Sequence, residues 1–144
     1  MKTSILRSSL TVLACTAVLA FATPSIAASV NLKADLKGAS EVPPTDSKGS
    51  GSVTATYDTA SKKLSWKGTV TGLSGPATAA HFHAGEAGKN GGVVVPIAGA
   101  DKGAFEGSAT LTDEQAADLM AGKWYVNVHT AANKAGEVRG QVTK

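Results

Sequence analysis

From Val30 onward the chain alternates between apolar and polar positions. Val30, Leu32, Ala34 and Leu36 are separated by Asn31, Lys33 and Asp35. A period of two sends successive side chains to opposite faces, so the run predicts a strand with one buried face. Val53, Ala55 and Tyr57 alternate with Ser52, Thr54 and Thr56 and predict a second strand. After a turn at Asp58 to Lys63, Leu64, Trp66 and Val70 alternate with Ser65, Lys67 and Thr71, and Gly68 interrupts the apolar row. The last two runs predict a hairpin.

Gly38 to Gly51, with Pro43-Pro44, reads as a loop, and Gly72 to Pro76 as a turn. On the strand that follows, Ala80 and Phe82 are predicted to face the core, with His81 and His83 on the opposite face. Gly85 to Gly92 holds four glycines and Asn90, which predicts a tight surface loop with positive φ. Val93 to Ala98 predicts a short strand, and Pro96 places it at an edge or bulge. Ala104 to Leu111 predicts another, with Phe105, Ala109 and Leu111 on one face. Thr112-Asp113-Glu114-Gln115 is a capping-box pattern that opens a helix over Asp113 to Met120, stopped by Gly122. Trp124, Val126 and Val128 are expected inside, opposite Tyr125, Asn127 and His129. After the loop Ala131 to Gly136 comes a last strand, with Val138, Gly140 and Val142 inside and Glu137, Arg139 and Gln141 outside. Seven or eight short strands with one short helix suggest an all-β antiparallel β-sandwich or Greek-key barrel in a single domain.

Residues 1–27 read as a signal peptide. Lys2 and Arg7 precede an apolar run from Leu10 to Ala22, too short for a membrane span, and Ser25-Ile26-Ala27 supplies small residues for cleavage. The competing reading is a lipoprotein signal with Cys15 lipidated, but Val12-Leu13-Ala14 matches that motif poorly. The expected mature domain, residues 28–144, is exported to the periplasm or the extracellular space. Removing two of the 14 basic residues leaves 12 against 11 acidic ones, so no basic stripe recommends nucleic acid as a partner. Cys15 is the only cysteine, so the mature domain has no disulfide and no thiolate for an iron–sulfur or blue-copper centre.

The three histidines occupy two segments, Ala80-His81-Phe82-His83-Ala84-Gly85 and Val126-Asn127-Val128-His129. His81 and His83 share a strand face, roughly 6.6 Å apart, and paired strands lie about 4.8 Å apart. If the two strands are neighbours, three imidazoles converge on one ion. All three lie opposite an apolar row. Against this stands the plainer reading of polar residues on a solvent face. Three neutral imidazoles leave a coordination position open. Copper is the first expectation, because it heads the affinity order for nitrogen donors, and zinc is the alternative. Glu86, Asn127 and Tyr125 are candidates for a further ligand or a supporting contact. Arg139, the only arginine after Arg7, has a planar fork suited to a carboxylate or a small anion. No aromatic platform, phosphate-binding loop or Gly-x-Ser-x-Gly elbow appears.

From Val30 to Val142 the chain resembles the CHRD domain family. The resemblance rests on the His81-Phe82-His83 segment, Gly88-Lys89-Asn90-Gly91 with Val93-Val94, Leu111-Thr112, Trp124 to Thr130, and Gly136 to Gln141. It implies an immunoglobulin-like or superoxide-dismutase-like β-sandwich and little about biochemistry. A weaker similarity to Cu/Zn superoxide dismutase implies that His81, His83 and His129 match copper ligands and that Arg139 matches the anion-guiding arginine. The bridging histidine, the zinc ligands and the family's cysteines are absent, which leaves room only for a copper-only site. The alternative role is a metal-free extracellular module that binds a protein or glycan, with an extracytoplasmic partner.

Overall fold

The computed structural model describes residues 28–144. The predicted signal peptide and Cys15 lie outside the described residues. The elements run β1 (Ser29–Lys37), β2 (Ser50–Asp58), β3 (Lys63–Thr71), β4 (Ala77–Ala84), β5 (Val93–Ile97), β6 (Ala104–Thr110), α1 (Asp113–Met120), β7 (Trp124–Thr130) and β8 (Val138–Gln141). The strands form one antiparallel sheet in the order β5-β4-β7-β8-β1-β2-β3-β6. This is the all-β antiparallel fold with one short helix that the alternation predicts.

The sheet curls until its two ends meet. Trp66 on β3 packs edge-on against Phe82 on β4, with ring centroids 5.1 Å apart, although these strands lie near opposite ends of the strand order. The result is nearly a barrel, with two halves of one sheet facing each other across the core. Leu32, Ala34 and Leu36, Val53, Ala55 and Tyr57, and Leu64, Trp66 and Val70 all point inward as expected. Pro96 lies on β5, an edge strand, where its missing N–H costs no ladder bond.

Two glycines make room for aromatic rings. Gly68 pairs with Phe105, and a Cβ on Gly68 would lie 2.6 Å from that ring. Trp66 pairs with Gly107, and a Cβ there would lie 2.6 Å from the indole. The gap that Gly68 leaves in the apolar row of β3 is therefore filled from β6. α1 begins with the expected capping box: the Thr112 hydroxyl accepts from the Gln115 N–H, and the Gln115 side chain accepts from the Thr112 N–H.

One expectation changes. Arg139 and Gln141 do face away from the core, but their face is not solvent, and Glu137, just before β8, turns its carboxylate to Ser47, Ser74 and Thr130. The segments around Glu41–Gly49 and Gly85–Gly92 cover the outside of β7 and β8. Glu137 and Arg139 are 0% and 2% exposed there, because these segments supply hydroxyls and carbonyls to satisfy them. The strands β7 and β8 are thus buried on both sides, apolar within and polar without. Among the described residues no helix is long and apolar enough to cross a membrane.

Candidate metal centre

β4 and β7 are neighbours in the sheet. Their register sets Ala79 opposite His129, His81 opposite Asn127 and His83 opposite Tyr125. On the outer face His81 and His83 are therefore one strand repeat apart, and His129 lies diagonal to His81. The ring centroids are 5.4 Å (His81–His83), 5.1 Å (His81–His129) and 6.2 Å (His83–His129) apart. One ring nitrogen from each lies within 4.8 Å of the other two. The structure thus brings together all three histidines that the sequence singles out.

Backbone carbonyls set two of the tautomers. His83 Nδ1 is 3.0 Å from the Gly91 carbonyl oxygen, and His129 Nδ1 is 2.9 Å from that of Lys134. A carbonyl only accepts, so each Nδ1 carries the proton and each Nε2 keeps its lone pair. His129 Nε2 lies 3.2 Å from His81 Nδ1. That is close to the spacing of about 3.3 Å between two nitrogens on one tetrahedral ion with bonds of about 2.0 Å. His83 Nε2 is buried and has no hydrogen-bond partner. Leaving such an atom unpaired costs about 1–3 kcal/mol, which a ligand at that position would offset. Burial pushes both His81 and His83 below the usual imidazole range, and neighbouring histidines add to the effect. Both rings are therefore neutral donors at pH 7.

The supports come from the glycine loop. A Cβ on Gly91 would lie 1.5 Å from the Ala84 carbonyl oxygen, so only glycine brings this segment close enough to hold His83. Tyr125 Oη accepts the Gly91 N–H at 3.1 Å and donates to its carbonyl at 3.3 Å. The Tyr125 ring stacks on His83 at 4.8 Å, with 8° between the planes. The Arg139 guanidinium lies 3.5 Å from the centre of the same Tyr125 ring.

Arg139 differs from its expected role. An arginine that guides anions presents its charge to solvent, whereas Arg139 donates to Asn90 Oδ1 at 3.0 Å and to the carbonyls of Lys89 and Glu86 at 2.7 and 3.3 Å. It clamps the loop that orients His83. Nor does it meet the Glu86 or Glu137 carboxylates: Glu86 pairs with Lys89 at 3.3 Å on the surface, and Glu137 is held by hydroxyls. Tyr125 spends its hydroxyl on Gly91. Asn127, on β7 opposite His81, keeps its Oδ1 buried and unpartnered.

Sequence reasoning missed two groups. Glu41 is buried beside Asn127 and Gly136. Burial pushes its carboxyl up to about 7, against the opposing pull of Arg139 and of hydrogen bonding from Asn127. The carbonyls of Gly91 and Lys134 also escaped notice, since a backbone group leaves no signal in residue type. On its other side the cluster opens into a cleft of about 470 Å³ lined by Thr78, Ala79, His81, His129, Thr130, Ala131 and Lys134. The larger grooves of the molecule lie elsewhere, on the outer face of β1, β2, β3 and β6, away from the histidines.

A model of the CHRD domain family matches residues 32–142. No curated protein matches the chain.

Proposed function

Since the chain belongs to the CHRD domain family, whose fold here carries three converging imidazoles, we propose that it is an exported domain that binds one copper ion. The donors are His81 Nδ1, His83 Nε2 and His129 Nε2. The observation that carries this reading is the pair of Nδ1–H bonds to the Gly91 and Lys134 carbonyls, which leave each Nε2 unprotonated, with His83 Nε2 unpartnered and His129 Nε2 facing His81 Nδ1 at 3.2 Å. Imidazoles oriented through their second nitrogen are the usual arrangement of metal-ligating histidines. Copper suits three neutral nitrogens best by affinity order, and zinc fits the same donors. The role is copper buffering or transfer, or, in its narrower form, redox chemistry of the superoxide type.

The test is copper titration of the metal-free domain, followed by electron paramagnetic resonance. A one-to-one complex with nitrogen hyperfine structure is expected, and His83→Ala should weaken it at least tenfold. Absence of binding at micromolar copper would overturn the reading. A superoxide assay on the loaded protein then separates redox turnover from storage.

A metal-free binding module is the second reading. It is favoured by the outer face of β1, β2, β3 and β6, where Lys33, Thr54, Lys67 and Glu106 form one cross-strand row and Asn31, Thr56, Ser65 and Ser108 the next. A partner that still binds after His81, His83 and His129 are all replaced would point there.

A further inference from the structure

We infer that the ligand taken up at the open side of the histidine cluster is a small anion, and that Lys134 draws it there. This rests on the metal reading above and concerns what the bound ion would meet.

The cluster contributes no charge. Imidazole binds a metal as a neutral ligand, and neither Glu86 nor Glu41 belongs to the cluster. A divalent ion held there keeps its full double charge, in contrast to a site with a carboxylate or thiolate ligand. Such an ion attracts an anion to any position that the protein leaves open.

The open side is defined by burial. His83 is the buried member, closed in by Tyr125 and the glycine loop. His81 and His129 line the cleft. Ala79 stands directly opposite His129 in the ladder, and its small side chain keeps the approach clear. Ala131 forms another wall. The hydroxyl of Thr130 is turned into the protein, where it donates to Glu137. What lines the approach is therefore short and mostly apolar, and it admits a ligand of a few atoms.

Lys134 is the one charged side chain lining this cleft, and no acidic residue lines it. Its backbone is fixed to the site, since its carbonyl accepts the His129 Nδ1–H at 2.9 Å. The side chain is exposed and makes no ion pair among the described residues. Glu137 lies behind Thr130 with its carboxylate oxygens taken up by Ser47, Ser74 and Thr130. The backbone of Lys134 is therefore tethered beside the cluster, and its long exposed side chain is free to swing over the mouth. This is the position that Arg139, buried under the loop, does not occupy.

The experiment uses the copper-loaded domain with sodium azide as the probe anion, followed by the azide-to-copper charge-transfer band and by electron paramagnetic resonance. Wild-type protein should bind one azide per copper. Lys134→Ala should bind it about threefold more weakly at low salt, the effect of one solvated unit charge roughly 7 Å away. Lys134→Arg should restore wild-type affinity. The difference should fade at high ionic strength, because the side chain is solvent-exposed. By the same arithmetic Lys134 repels the doubly charged ion, so copper affinity should rise severalfold in Lys134→Ala at low salt and stay at the wild-type level in Lys134→Arg. Equal azide affinity in wild type and Lys134→Ala at low salt would remove Lys134 from the role. Copper bound without any response to azide would overturn the open anion position while leaving the metal reading intact. Failure to bind copper would overturn both.

Discussion

Glu137 is a carboxylate with no exposure at all, surrounded by donors. Ser47 Oγ donates to it at 2.6 Å, the Ser74 N–H at 2.8 Å and Ser74 Oγ at 2.6 Å, and Thr130 Oγ1 adds a fourth bond. Burial alone would raise its pKa, but these bonds outweigh burial and hold it at about 2. The folded value lies below the ordinary one, so Glu137 stabilises the fold above pH 4.5 and loses that contribution as pH falls toward 2. Glu41 works in the opposite sense. Its folded value of about 7 lies above the ordinary 4.5, so stability declines as pH rises from 4.5 through 7. Denaturant melts across pH should show both limbs. Glu137→Gln should remove the acid limb and cost about 3 kcal/mol at pH 7, as expected for a buried charged group losing its hydrogen bonds. Glu41→Gln should remove the decline between pH 5 and 7 and leave the protein more stable than wild type at pH 8. In the sequence these two glutamates look alike. What separates them is the count of donors that folding delivers, and those donors come from residues up to 90 positions away.

At the scale of elements, alternation carried most of the information. The inward rows of β1, β2, β3, β4 and β7 follow directly from the period of two, and α1 follows from Thr112 and Gln115. The partnership of glycines with aromatic rings was not legible, because it depends on register between β3 and β6. Register also decides a test of packing. Gly107→Ala should destabilise the domain by about 2 kcal/mol, since the new methyl meets the Trp66 indole. Gly75→Ala, with open space around it, should be close to neutral in the same thermal melt. The face of β7 and β8 that carries Tyr125, Asn127 and Arg139 is turned away from the core, as the alternation predicts. That it is roofed by loops could not be read, because a loop's path has no periodic signature.

In the whole molecule, strand order brings the two histidine segments together, and no alternation pattern specifies strand order. The β4–β5 connection then lays the glycine loop over Tyr125 on the neighbouring β7, with Arg139 of β8 as the clamp. Arg139→Lys should fail to hold it, since an ammonium cannot stack flat on Tyr125 and also reach Asn90, Lys89 and Glu86. The Gly91 amide should then exchange faster with solvent, and copper affinity should fall about tenfold, as for loss of an outer support to a ligand. The order of the sheet also has a mechanical side. β1 and β8 are antiparallel neighbours, with Lys37 opposite Arg139 and Lys33 opposite Thr143, so residues 28 and 144 emerge at the same end of that ladder. Tension applied through those two residues peels the pair apart one bridge at a time, instead of shearing all its bonds at once. Lifting β8 would take Arg139 off the glycine loop and draw Val138 and Val142 out of the core in the same step. Under load, the domain would loosen its grip on His83 as its apolar core opens.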